Sequence, residues 1–251
     1  MNEAIDKPRL IALVTDFGSV GPYLGQMEAL LALSTADVPV INLCSDAPVC
    51  NPRASAYLLA ALAEQMPAGT LFLGVIDPGV GGDRRALIVN TADRWFVGPD
   101  NGLFSQLLHG ADNCRVWRID WRPVTLSDSF HGRDLFAPVA AGICNGTLPA
   151  GTLLEPEATV GWDWPNELAE IIYIDHFGNA FSGIRAESLS TDARIELHGA
   201  RIGHGRTFSS VPLDTPFWYR NSMGLVEIAV NQGRADQRLG LAVGDKLRVL
   251  N

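Results

Sequence analysis

Between Gly69 and Ile76 the chain is mostly apolar, with β-branched residues at its end, and it stops at Asp77-Pro78-Gly79. Such a run reads as a strand buried on both faces of a parallel sheet. Asp77 then stands at the carboxyl end of a central strand, where the loops of an open α/β sheet part and ligands bind. A carboxylate there is costly unless paired or solvated. Gly79, Gly81 and Gly82 permit tight turns, and Arg84 and Arg85 are expected to return guanidinium groups towards the acid. Taken alone, the segment favours a glycine-rich loop with a structural ion pair, the commoner arrangement.

The preceding chain repeats the pattern. Leu10 to Val14 is a second strand, ending in Thr15-Asp16-Phe17-Gly18, and a helical pattern follows through Leu33. Gly18, Gly21 and Gly25 do not have the spacing of a dinucleotide fingerprint or a phosphate loop. Asp16 suits either a helix cap or an acceptor for both hydroxyls of a ribose. Val38 to Cys44 is a third strand, and Arg53 to Met66 has helical spacing with Leu58, Leu59, Leu62 and Met66 on one face. Strand, helix, strand, helix, strand predicts an α/β, doubly wound beginning.

Ala86 to Thr91 and Trp95 to Val97 read as strands joined by a turn at Ala92-Asp93, and Gly98 to Gly102 is turn-forming. Leu103 to His109 reads as helix and Val116 to Ile119 as strand. Ser127 to Asp134 leads into a helix through Cys144 that Asn145-Gly146 ends. His131 precedes that helix, whose dipole favours a neutral imidazole. The other four histidines are expected to be surface residues.

Leu148 to Pro165 lacks periodicity, so the expected domains are 1–152 and 166–251, with 153–165 as linker. Glu170 to Ile174, Ala180 to Ile184, Arg194 to Leu197, Thr207 to Val211, Leu225 to Val230 and Lys246 to Leu250 read as short strands of a small antiparallel barrel or sandwich. Two stretches there have functional character: Asp175 to Phe181, and Asn221-Ser222-Met223-Gly224 leading to Glu227 and Asn231. Phe208, Trp218 and Tyr219 offer stacking surfaces.

A net charge of -9 without basic clusters argues against a nucleic-acid partner. No apolar run reaches membrane-spanning length, and the first residues lack a secretory plan. Four cysteines without Cys-x-x-Cys spacing suit a reducing compartment, so the expected location is cytoplasmic.

Thr-Asp-Phe-Gly at 15–18, Asp-Pro-Gly-Val-Gly with Arg84, Gly-Pro-Asp-Asn-Gly at 98–102, Phe-His-Gly-Arg-Asp at 130–134 and Asp-x-Phe-Gly-Asn at 175–179 occur in one order. Together they resemble the S-adenosylmethionine (SAM) hydroxide adenosyltransferase family, relatives of fluorinases and chlorinases. The resemblance implies a Rossmann-like N-terminal domain, a smaller antiparallel β-barrel C-terminal domain, and a homotrimer binding a small-molecule substrate between neighbouring subunits. It implies attack of water or hydroxide on C5′ of SAM, giving adenosine and methionine, without a metal or a cofactor other than SAM as substrate. The family's catalytic set falls on Asp77, Arg84 and His131, and its ribose acid on Asp16. Methionine-end contacts fall on Asp175 and Ser222, and adenine contacts on Asn179, Phe181, Asn231 and Phe208. That set, with the short Ala86–Gly98 segment, favours hydrolysis over halide transfer.

A guanidinium beside a carboxylate stabilises its anion. Orientation and deprotonation of water are therefore assigned jointly to Asp77 and His131, and Arg84 fixes Asp77 and stabilises hydroxide. Competing readings are a metal-dependent hydrolase using Asp16, Asp77, Asp100, Asp134 and His131, a non-catalytic adenosine or SAM sensor, and a halide-dependent transferase. Cys44-Ser45, Ser182-Gly183 and Met223 depart from common family residues, which bears on affinity more than on reaction type.

Overall fold

The computed structural model describes residues 6–35, 37–91, 93–109, 111 and 113–250. The chain divides into two compact units, one running to Leu59 and resuming over Met66–Trp164, the other made of Ala60–Gln65 and the chain from Pro165. In sequence order β1 (Leu10–Thr15), α1 (Tyr23–Ser34), β2 (Val40–Cys44), α2 (Pro52–Gln65) and β3 (Thr70–Val75) alternate as the hydrophobic pattern requires. Asn51 caps α2 by accepting the Ala54 N–H at 3.0 Å, and Pro52 opens the helix.

β1 pairs in parallel with β2 on one side and with β3 on the other. Winding therefore reverses between β1 and β3, which opens a crevice at their carboxyl ends. Thr15 is in register with Val75, so Asp16 and Asp77 leave neighbouring strands at that point. Beyond β3 come β4 (Ala86–Asn90), β5 (Trp95–Pro99), α3 (Ser105–His109), β6 (Arg115–Ile119) and β7 (Gly151–Leu154), completing a seven-stranded sheet of order β2-β1-β3-β5-β4-β6-β7. β5 continues the parallel set, whereas β4, β6 and β7 add antiparallel ladders, so the sheet is mixed. Sequence periodicity missed β7 because three of its four residues are exposed, as befits an edge strand. Ala92 lies outside the described residues; beside it, the Thr91 N–H donates to the Arg94 carbonyl at 3.0 Å.

Ile11, Leu13, Leu71 and Leu73 of the sheet pack in one core with Met27 and Leu31 of α1 and with Val139, Ala140 and Ile143 of α4 (Ala137–Cys144). A π-helical turn over Gly132–Phe136 leads into α4. Gly146, at φ 84°, ends that helix in the left-handed conformation that glycine tolerates best.

The second unit contains β8 (Leu168–Ile174), β9 (Ala180–Arg185), β10 (Arg194–Leu197), β11 (Ala200–Ile202), β12 (Pro216–Arg220), β13 (Leu225–Val230), α5 (Ala235–Leu239) and β14 (Arg248–Leu250). They form two antiparallel sheets, β12-β13-β9-β8 and β11-β10-β14. Single bridges, Glu170 to Lys246 and His204 to Trp218, link residues of the two sheets or beside them. Each seam is one bridge wide, so among the described residues the second unit is two antiparallel sheets joined by single bridges, without a continuous ladder around a closed barrel. Thr207 to Val211 is not a strand: Phe208–Ser210 forms a 3₁₀ turn, because Thr207 and Ser210 cap one another and divert the backbone from a ladder. β11, β12 and α5 are additional to the sequence reading. β12 opens on Pro216, a position where a strand accepts proline. Among the described residues no helix is long and apolar enough to cross a membrane.

The tightest joint of the large sheet lies at Gly98 of β5, where an added Cβ would sit 2.2 Å from the Gly74 carbonyl oxygen of β3. Gly98→Ala is expected to lower unfolding free energy by about 3 kcal/mol, read from urea melts.

Candidate active site

Asp77 begins the loop that leaves β3, and its strand end is tied down from a neighbouring turn. Asn101 donates its Nδ2–H to the Ile76 carbonyl at 2.8 Å, and its Oδ1 accepts the Leu103 N–H at 3.3 Å. The loop then folds on itself through Val80 N–H to the Asp77 carbonyl and Gly82 N–H to the Gly79 carbonyl. Gly81 has φ 79°, and a Cβ there would lie 2.4 Å from the Asp128 carbonyl oxygen. Only glycine allows this loop to approach the segment that carries His131.

That approach joins Asp77, Arg84 and His131. Arg84 Nε lies 2.9 Å from each carboxylate oxygen of Asp77, and Nη2 also donates to Oδ2. The same Nη2 lies 2.8 Å from His131 Nδ1. The Arg84 and Asp77 side chains are 11% and 4% exposed and His131 is 8% exposed, so little water competes for these bonds. Phe136, at the end of the π-helical turn, sets its ring 5.1 Å from the Arg84 guanidinium carbon. A guanidinium has donors only, so His131 Nδ1 must be the acceptor and the neutral ring carries its proton on Nε2. Burial, then the Arg84 charge, hold the His131 pKa below the ordinary histidine range, with Asp77 opposing. Burial and a guanidinium thus supply the effect that sequence assigned to a helix end.

Arg85 does not join this group. It binds Asp100 at 2.5 Å and the Ala158 carbonyl at 2.5 Å, while the other Asp100 oxygen accepts the Val160 N–H at 2.9 Å. Asp134 is held by Arg133 at 2.6 Å. Asp77, Asp100 and Asp134 therefore each have their own guanidinium, a poor arrangement for a hard cation that needs several free carboxylates. Among the described residues no cluster of three or more acids, histidines or cysteines is placed to hold a metal. His109 is also not the surface residue expected: its Nε2 lies 2.5 Å from the Trp162 carbonyl.

Asp16 is half-buried, and its Oδ2 accepts the Cys50 N–H at 2.9 Å. Burial raises its pKa and the nearby Asp77 charge adds to the rise, against the Cys50 hydrogen bond.

In the second unit Asp175 and Asn179 form one turn, with the Asn179 N–H and Nδ2–H donating to the two Asp175 oxygens at 2.8 and 3.0 Å. Phe181 follows in β9, its ring 5.3 Å from Tyr173. Phe208 packs edge-on against Phe217 and Tyr219, and Asn231 donates to the Val211 carbonyl beside it at 2.8 Å. Ser222 is exposed on the turn between β12 and β13. Sequence reasoning missed Asn101 as the clamp on Ile76 and the contact of Tyr219 with Glu227. A hairpin closed by the three residues Ser222–Gly224 would have paired those last two residues.

Residues 11–152 match the family model for the SAM hydroxide adenosyltransferase N-terminal domain, and residues 169–248 match that for its C-terminal domain. The chain belongs to the SAM hydroxide adenosyltransferase family. A relative from Salinispora arenicola named (R)-S-adenosyl-L-methionine hydrolase is 36% identical over 255 residues, covering 95% of this chain and 97% of that protein. One of the same name from Thermus thermophilus is 35% identical, covering 96% and 100%. The crystal structure of an uncharacterized conserved protein from Thermotoga maritima superposes with a TM-score of 0.85 at 28% identity, covering 96% of this chain and all of that one. Asp16, Asp77, Arg84 and His131 lie within the family's N-terminal match. Asp175, Asn179, Phe181, Phe208, Ser222 and Asn231 lie within the C-terminal one.

The tautomer is directly measurable. Long-range ¹H–¹⁵N spectra of neutral His131 are expected to show Nε2 protonated and Nδ1 bare, and Arg84→Ala is expected to mix the two tautomers. A wild-type ring protonated at Nδ1 contradicts the bonding described.

Proposed function

We propose that this family member hydrolyses S-adenosyl-L-methionine to adenosine and L-methionine, with water attacking C5′ of the ribose. The observation that carries the reading is the division of Arg84 Nη2 between Asp77 and His131. It leaves one acceptor and one donor for a water molecule: the outer lone pairs of Asp77, and the Nε2–H of His131. The names of the relatives supply the substrate class.

A sulfonium is already a good leaving group, so the main requirement is an oxygen held about 3 Å from C5′ and in line with the departing sulfur. In the proposed step the water oxygen bonds to C5′, the C5′–S pair moves onto sulfur, and neutral methionine thioether departs. Asp77 accepts the water proton. His131 donates to the same oxygen from Nε2 and takes no proton, because its Nδ1 is occupied by Arg84. This narrows the joint role expected for the two residues. Asp16, with one oxygen held by Cys50, receives the ribose hydroxyls. Asp175 and Ser222 take the methionine end, and Asn179, Phe181, Phe208 and Asn231 the adenine. The step requires no metal or organic cofactor.

We also infer a Rossmann-like first domain, a barrel-like second domain whose seams are the two single bridges, and a homotrimer that binds substrate between neighbouring subunits. The parallel β2-β1-β3 order supports the first of these. Sedimentation at several concentrations tests the assembly, and a monomer throughout overturns it.

In ¹⁸O-water without added metal or halide, purified protein is expected to convert SAM to methionine and adenosine labelled at the 5′ oxygen. Unlabelled adenosine, or no turnover, refutes the reading. Asp77→Asn is expected to lower kcat by roughly 10²-fold or more, whereas Asp16→Asn chiefly raises KM. Protonating His131 sets two cations face to face, and its pKa is lowered, so kcat is expected to fall only below a pH of about 6.5. Asp16 has a raised pKa and should lose its charge earlier than an ordinary carboxylate, raising KM on the same acid limb.

A further inference from the structure

Along β13, Val226, Ile228 and Val230 enter the apolar core of the second unit. Side chains alternate along a strand, so Glu227 points to the opposite face. Cross-strand register places Tyr219, Glu227, Phe181 and Tyr173 in one row across β12, β13, β9 and β8. Glu227 is nevertheless only 3% exposed. The row therefore holds a buried acid on the sheet face away from the unit's own core, and the reaction described above makes no use of it.

Its partners are specific. Tyr219 donates its hydroxyl to Glu227 Oε1 at 2.6 Å. Asn221, 7% exposed, accepts the Met223 and Leu225 N–H groups on Oδ1, both at 3.0 Å. Its Nδ2 favours the ionised Glu227, yet within ordinary hydrogen-bond geometry that buried atom has no partner. A buried donor left in this state costs free energy until something draws the carboxylate or a ligand onto it. Asp175 supplies a second carboxylate whose charge opposes ionisation of Glu227. Beside them stand the rings of Tyr173 and Tyr219, which pack in turn against Phe181 and Phe208, the two rings assigned above to adenine. Two carboxyl groups edged by aromatic rings are matched chemically to a cation.

We propose that Glu227, held by Tyr219 and faced by Asn221, is a buried counter-charge beneath this face that selects ligands carrying a positive charge. It is a positioning residue acting through Tyr219 and Asp175. The inference rests on the proposed reaction for the identity of the cation, the methionine half of SAM with its sulfonium and ammonium. Adenosine, which lacks both charges, is the matched control.

Burial raises the Glu227 pKa, and Asp175 raises it further, while the Tyr219 hydrogen bond and the facing Asn221 amide oppose the rise. Of the other ionisable groups acting on Glu227, Asp175 follows β8 and Tyr219 lies on β12; Tyr219 is itself raised by burial and remains a donor. A bound cation favours the ionised carboxyl, so cation binding is linked to proton release in mildly acidic solution.

Calorimetry in the slow Asp77→Asn background tests this, with SAM and adenosine as ligands and two buffers of different ionisation enthalpy. Adding Glu227→Gln is expected to weaken SAM binding by about tenfold, to leave adenosine within about twofold, and to reduce the proton release that accompanies SAM. Tyr219→Phe, which removes only the hydroxyl, is expected to act in the same direction, and it serves if the glutamine variant does not fold. Equal weakening of both ligands identifies a merely structural role and overturns the inference. Unchanged SAM affinity and proton release also overturn it, while leaving the proposed reaction intact. If the parent binds no SAM, the reaction and the inference fall together.

Discussion

The two hydrogens of Arg84 Nη2 point to different acceptors, one to Asp77 and one to His131, and the geometry of the group at the carboxyl edge of the first sheet depends on that division. A guanidinium is planar and can only donate, so its position determines more than geometry. It fixes the anionic partner, selects the histidine tautomer, and leaves a donor and an acceptor available on separate residues. Nearly complete burial makes the arrangement costly to form and costly to break. The group is better understood as a device for orientation than as a source of stability.

Several parts of the fold serve this one joint. Asn101 holds the carbonyl immediately before Asp77, Gly81 lets the loop reach the backbone of Asp128, and Phe136 covers the guanidinium. The π-helical turn between His131 and α4 puts Phe136 in that position, in keeping with the frequent occurrence of such turns at functional sites. Asp100 and Asp134 resemble site residues in sequence but are held by Arg85 and Arg133. Asp16 differs from them. Its main-chain partner neutralises nothing, so it retains a full acceptor for a ligand.

The second unit uses alternation along a strand for a similar separation of roles. Its core takes every second residue of β13, while of the intervening residues Glu227 meets the Tyr219 hydroxyl and Leu225 donates its N–H to Asn221. The apolar residues of β9 and β13 hold the sheet together through one face. The polar chemistry is displayed on the other, where Tyr219 and Glu227 meet across a hairpin.

Much of this was legible in the sequence. Apolar runs ending in Asp16 and Asp77, with helical spacing between them, determined the parallel strands and placed both acids at one sheet edge, since winding order dictates where a crevice opens. Alternation and turn residues likewise marked most strands of the second unit. Tertiary structure alone decided which guanidinium met which acid. Arg84 and Arg85 are adjacent and chemically identical, yet successive side chains leave a loop in different directions, so one reaches Asp77 and the other Asp100. It also decided the state of His131, because desolvation and a hydrogen-bond partner 47 residues away are properties of packing. Sequence specifies which groups a chain carries and where its strands end. The distances that set protonation and pairing arise only when loops remote in sequence close on one another.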